Sequence, residues 1–106
     1  MKMRGAAGIA GVVAVLLVGC GPQGLSPEAE QGRRTYLANC IACHNVDPAQ
    51  PGAVGPPVKG ASRELLEAKT VKGTYPPGYT PKRPTAVMQP MPHLAAEIPT
   101  LAEYLR

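Results

Sequence analysis

Cys40, Ile41, Ala42, Cys43 and His44 set two thiols on either side of two spacer residues, with an imidazole directly after the second. Thiols at this spacing can add to the two vinyl groups of a haem, and the adjacent histidine can reach the iron from one face. C-x-x-C-H therefore reads as c-type haem attachment. Other chemistries use parts of the same pattern. A thioredoxin-like redox pair needs a strand–helix–strand setting, and nothing near residue 40 is patterned as a strand. A structural zinc site needs a fourth nitrogen or sulfur ligand, for which Cys20 and His93 are the remaining candidates. A chance occurrence of the pentapeptide is a further alternative, so the rest of the chain has to carry the assignment.

The elements that must position these groups are built from unusual material. The chain has 106 residues with no Phe, no Trp and four Tyr, against thirteen Pro and twelve Gly. That is enough for one small domain, but it holds few large apolar side chains and much that is unsuited to element interiors. A covalently held haem would supply both an apolar core and a cross-link of the kind small scaffolds need. Formal charge is +4; without Lys2 and Arg4 nine Lys and Arg face seven Asp and Glu, a net of +2. No basic run with interleaved aromatics is present, so nucleic acid is not an expected partner.

Residues 1–19 read as a signal peptide. Lys2 and Arg4 form a basic start, and Ala6 to Val18 a mostly apolar run of thirteen residues, short of the roughly 20 that a spanning helix needs. The run ends in Leu17-Val18-Gly19-Cys20, which resembles the lipobox of bacterial lipoproteins. That resemblance implies cleavage before Cys20 and lipid on its sulfur, with several acyl chains giving a stable anchor. An ordinary cleavable signal or an uncleaved anchor is the alternative. With Cys20 lipidated, residues 20–25 are a short tether, and Cys40 and Cys43 need no disulfide partner.

Ser26-Pro27-Glu28 signals a helix start, with an N-cap hydroxyl, a proline in the first turn and an acidic residue facing the dipole. The helix is predicted over Pro27 to Asn39, with Gly32, Tyr36 and Cys40 on one face. Residues 45–61 are a loop, broken by Pro48, Pro51, Pro56 and Pro57. A second helix is predicted from Ser62 to Lys72, ahead of Gly73. Gly73 to His93 carries six prolines in 21 residues. A loop of that length makes sense as a strap over a cofactor, ordered at reduced entropic cost by its prolines. Ala95 to Arg106 is predicted helical, with Ile98, Leu101, Ala102 and Leu105 on one stripe and Pro99 tolerable only in the first turn.

Taken together, residues 26–106 resemble a class I, single-haem cytochrome c. The resemblance rests on Gly32-x-x-x-Tyr36-x-x-x-Cys40-x-x-Cys43-His44, on Gly55-Pro56-Pro57-Val58-Lys59-Gly60, and on Met88-Gln89-Pro90-Met91-Pro92-His93-Leu94 ahead of the last helix. It implies an all-α fold of three to four short helices around one covalently bound haem c, with long Pro- and Gly-rich loops. It implies haem attachment through Cys40 and Cys43, His44 as the proximal ligand, and the Pro56 carbonyl as partner of that imidazole's other nitrogen. The register of the strap implies Met88 as the second axial ligand, with Met91 and His93 as alternatives. Gln89 stands where the family often has proline. The closing helix, with Leu101, Tyr104 and Leu105, is expected to cross the first near Gly32.

Ligation by His and Met raises the reduction potential and leaves no open position on iron, so the expectation is outer-sphere electron transfer and not catalysis. Lys69, Lys72, Lys82 and Arg83 are candidates for steering an acidic partner, an ordinary solvated surface being the alternative. Tyr75 and Tyr79 are candidates for a propionate contact. The leading expectation is a monomeric, lipid-anchored carrier of single electrons between redox partners outside the cytoplasm. An electron-transfer subunit of a larger oxidoreductase complex and a haem-based ligand sensor are the alternatives.

Overall fold

The computed structural model describes residues 24–106 and, of the preceding segment, residues 5, 8 and 10–13. The lipobox with Cys20, and the charges at Lys2 and Arg4, lie outside the described residues.

Helix α1 spans Pro27–Asn39, the span predicted from the sequence. The Ser26 side chain accepts from the Ala29 amide at 3.1 Å, and Pro27 opens the first turn alongside Glu28 and Glu30. The helix buries Ala29, Gly32, Thr35 and Tyr36 along one side. Cys40 caps its far end through a bond from its own amide to the Tyr36 carbonyl.

Helix α2, Arg63–Leu66, is capped by Ser62, whose hydroxyl accepts from the Leu65 amide at 3.0 Å. Its continuation departs from the regular helix the sequence suggests. Glu67–Val71 is wound as a π-helical turn, and at Gly73 the backbone takes φ +71°. The last carbonyls of a helix have no partner within it, and those of Ala68, Lys69 and Thr70 are each taken up by a residue beyond Val71. Ala68 accepts from Thr74, Lys69 from Gly73 and Thr70 from Met91.

The final helical segment also has two parts. Pro92–Glu97 is a 3-10 stretch and Ile98–Leu105 is helix α3. Pro99 stands in the first turn of α3, where its missing amide hydrogen has no intrahelical partner to lose. Among the described residues there is no strand, and no helix is long and apolar enough to cross a membrane.

The largest contact between elements is that of α1 with α3. Gly32 is the point of closest approach. A Cβ there would lie 2.6 Å from the Thr100 carbonyl carbon and 2.9 Å from the Tyr104 Cβ. Around this crossing Tyr36, Leu66, Ile98, Leu101 and Leu105 form the core, and Tyr36 and Tyr104 meet as tilted rings with centroids 5.6 Å apart. Five residues are a small core for a domain of this length, and one side of it opens onto a cavity.

Candidate haem site

The attachment motif continues directly from the end of α1. The amides of Cys43 and His44 both donate to the Cys40 carbonyl, at 3.3 and 2.9 Å, so the pentapeptide is wound as one further turn. That turn keeps both sulfurs and the imidazole within one short stretch of backbone. Cys40 and Cys43 are free thiols, the first half-buried and the second exposed. Burial pushes the Cys40 thiol up to about 11.

Loop 45–61 is folded back against the motif. The Cys43 carbonyl accepts from the amides of both Val54 and Gly55, at 3.1 and 2.8 Å. Two glycines make this approach possible. A Cβ on Gly52 would lie 2.5 Å from the His44 Cα, and one on Gly55 would lie 2.5 Å from the His44 Nδ1. The backbone of Gly55 is thus a wall against the imidazole. Tyr36, buried under α1, donates its hydroxyl to the Asn45 carbonyl at 2.5 Å, while the Pro48 carbonyl accepts from Val58 and Lys59. Gly52, Gly55 and the Tyr36–Asn45 bond are features whose roles the sequence does not disclose. Only the clustering of glycine within a few residues of the motif hints at a close approach.

Next to Gly55, Nδ1 of His44 lies 2.9 Å from the Pro56 carbonyl oxygen. A carbonyl only accepts, so Nδ1 carries the proton and donates, and Nε2 is the nitrogen left with a free lone pair. A ring fixed in this way has its tautomer and orientation set for metal ligation.

A cavity of about 320 Å³ is lined by Cys40, Cys43, His44 and Pro56, and by Met88 from the strap. The volume falls in the range of about 300–1,000 Å³ typical of cofactor pockets. Its apolar walls come from Tyr36, Val58, Leu65, Leu66, Val87, Leu101 and Leu105, so the core and the cavity share residues. Neither Met91 nor His93 lines it. The Met91 amide donates to the Thr70 carbonyl at 2.6 Å, and His93 is exposed.

Part of the cavity lining is basic. Lys59, Lys69, Lys82 and Arg83 belong to it, together with Tyr75 and Tyr79, and among the described residues no Asp or Glu does. Lys82 reaches over to the Pro57 carbonyl at 2.9 Å, tying the strap to the loop. The Lys69 Nζ sits 4.5 Å above the Tyr75 ring, which in turn stacks on Tyr79 at 5.4 Å. Lys72, grouped with these cations by sequence, lies elsewhere and faces Glu67 at 4.0 Å.

These residues fit a covalently held haem. Two thiols, an imidazole with its second nitrogen engaged and a thioether share one mostly apolar cavity, and the cations that line it suit two carboxylates. A zinc site fits less well, because among the described residues no three His, Cys, Asp or Glu side chains gather closely enough to hold a metal ion.

Comparison with known proteins agrees. No curated protein and no solved structure matches the chain. Residues 29–106 match the family model described as Cytochrome c, whose members bind haem c covalently through cysteines and carry electrons. From α1 to the last residue, then, the chain belongs to the cytochrome c family and is a haem c electron carrier, with Cys40 and Cys43 present for the attachment.

Proposed function

We propose that this chain is a membrane-anchored, single-haem cytochrome with His44 and Met88 as axial ligands. In this reading it carries one electron at a time between redox partners outside the cytoplasm. The observation that supports it best is the cavity, which gathers Cys40, Cys43, His44 and Met88 while leaving out Met91 and His93.

The bound haem supplies a ferric–ferrous couple that takes up and gives off one electron. The residues of the chain hold that couple in place. Cys40 and Cys43 fasten it, and the Pro56 carbonyl keeps the His44 ring aligned with Nε2 free for iron. Met88, the thioether that lines the same cavity as His44, would favour the reduced state of a bound haem and would leave the iron no site for a substrate. Lys59, Lys69, Lys82 and Arg83 offer positive charge to the haem carboxylates. The loop is bonded to the motif, to Tyr36 and, through Lys82, to the strap, so little has to move when the charge on iron changes.

The membrane anchor rests on sequence, where Leu17-Val18-Gly19-Cys20 closes an apolar run after two basic residues. The axial ligands are tested by the absorption spectrum of the oxidised holoprotein. Met88→Ala is expected to abolish the sulfur-to-iron charge-transfer band and Met91→Ala to preserve it. The reverse pattern would put Met91 on the iron.

A further inference from the structure

Met88 stands in a strap with no regular structure of its own, so something else has to fix its distance from His44. The strap residues just after it meet the end of α2 at two places. The Met91 amide donates to the Thr70 carbonyl at 2.6 Å, one of the carbonyls left over at the end of the π-helical turn. Thr70 itself is 4% exposed and lines the haem cavity. One turn on, the Pro90 ring lies against Gly73, where a Cβ would come within 2.8 Å of the proline Cγ. Gly73 also has φ +71°, a conformation that side chains other than glycine adopt only with strain. Only a glycine lets Pro90 seat this closely.

We propose that Thr70, Gly73, Pro90 and Met91 form a clamp that positions Met88 and so sets how firmly its sulfur holds the iron. These are positioning residues, and the inference rests on Met88 being the ligand. The clamp also accounts for Met91, which serves through its backbone amide. A ligand on an irregular segment is only as well placed as its support, and a weakly held thioether yields readily to an added ligand. The Thr70 carbonyl is offered to the strap from within the π-helical turn, a kind of irregularity frequent at functional sites.

The test uses oxidised holoprotein, with the charge-transfer band and the affinity for added imidazole as readouts. Gly73→Ala adds both backbone strain and a collision with Pro90. Gly78→Ala is its control, because Gly78 lies in the same strap at φ +78° with nothing within 4 Å of its Cβ position. Gly73→Ala is expected to weaken the band and raise imidazole affinity about tenfold, the equivalent of a modest overpacking cost. Gly78→Ala is expected to lose stability but keep band and affinity. Adding Pro90→Ala to Gly73→Ala removes the Cγ and leaves the nearest remaining proline atom, Cβ, at 3.6 Å. The double variant should then bind imidazole no more tightly than Pro90→Ala alone. Equal effects of the two glycine variants, or none from either, would overturn the clamp. If Gly73→Ala yields no holoprotein, Pro90→Ala decides: it adds no bulk, and an unchanged band and affinity in it would overturn the clamp too. Loss of the band in Met88→Ala beside an intact band in Gly73→Ala would defeat the clamp alone, whereas an intact band in Met88→Ala would defeat the ligand assignment beneath it.

Discussion

Tyr36 does three things at once. It sits at the centre of the core at 1% exposure, it lines the cavity, and its hydroxyl holds the Asn45 carbonyl. Burial, first of all, pushes its pKa up to about 12, with smaller contributions from Cys40, Tyr104 and Asp47. Once Cys40 is a thioether its charge drops out, but the leading cause remains. The folded protein therefore holds this proton more tightly than the unfolded chain, in which tyrosine ionises near 10. Its contribution to stability is intact below about pH 10 and is lost as the pH rises towards about 12. Tyr36→Phe should cost about 1 kcal/mol at neutral pH and flatten the loss of stability across that alkaline window, as followed by denaturant melts of the holoprotein. At this scale the sequence was legible where a residue's chemistry is diagnostic. Two cysteines before a histidine announce haem, and the same string suggests Pro56 and Met88 through family resemblance. It was not legible where the role depends on an absent atom. Nothing in the letter G at position 55 says that an imidazole lies against it.

Among the elements, α1 was readable to the residue because both of its ends carry local signals. Ser26 and Pro27 open it, and the attachment motif takes over at Cys40. Helix α2 was readable only at its start, where Ser62 caps it. Its π-helical turn is bonded to Thr74 just beyond it and to Met91 across the strap, and neither bond leaves a periodicity in the sequence. The 3-10 entry to α3 follows from Pro92 and Pro99 bracketing six residues that cannot settle into one regular helix. The α1–α3 crossing offers a direct measurement. An alanine at position 32 would gain about 1 kcal/mol in helix propensity. It would also press on the Thr100 backbone, which has no flexible tip to move aside. Overpacking of that kind costs about 1–3 kcal/mol, and with backbone as the obstacle the upper end applies. Gly32→Ala should lower the unfolding free energy of the holoprotein by a net of about 2 kcal/mol, read as a lower denaturant midpoint.

For the molecule as a whole, charge has little part in holding the fold. Among the described residues the ion pairs are Arg33–Glu30, Lys72–Glu67 and Arg106–Glu103, all exposed and all local in sequence. Such pairs contribute little and are screened by salt. The melting temperature of the holoprotein should shift by no more than about 2–3 °C between low salt and 1 M sodium chloride, whereas steering of an acidic redox partner by the four cations lining the cavity predicts reaction rates that fall over the same range. A thermal melt and stopped-flow mixing at two ionic strengths separate these effects. The proposed anchor predicts a further difference at this scale. Full-length protein expressed in a bacterium should partition with membranes and incorporate labelled fatty acid, and Cys20→Ser should do neither while keeping its haem spectrum.

The last turn of α3 has a consequence for the order in which the protein is built. Leu101 and Leu105 line the cavity, and the Leu105 carbonyl accepts from the Gly60 amide. The pocket is therefore unfinished until α3 docks. A chain delivered from its N-terminus presents Cys40 and Cys43 long before that moment, while both thiols are open to solvent. In the folded chain Cys40 is half-buried against the core that Leu101 and Leu105 help to form, and burial raises its thiol to about 11, so attachment before folding would meet more of the reactive thiolate than attachment after it. Haem attachment is therefore expected to come before α3 docks, while the pocket is still open.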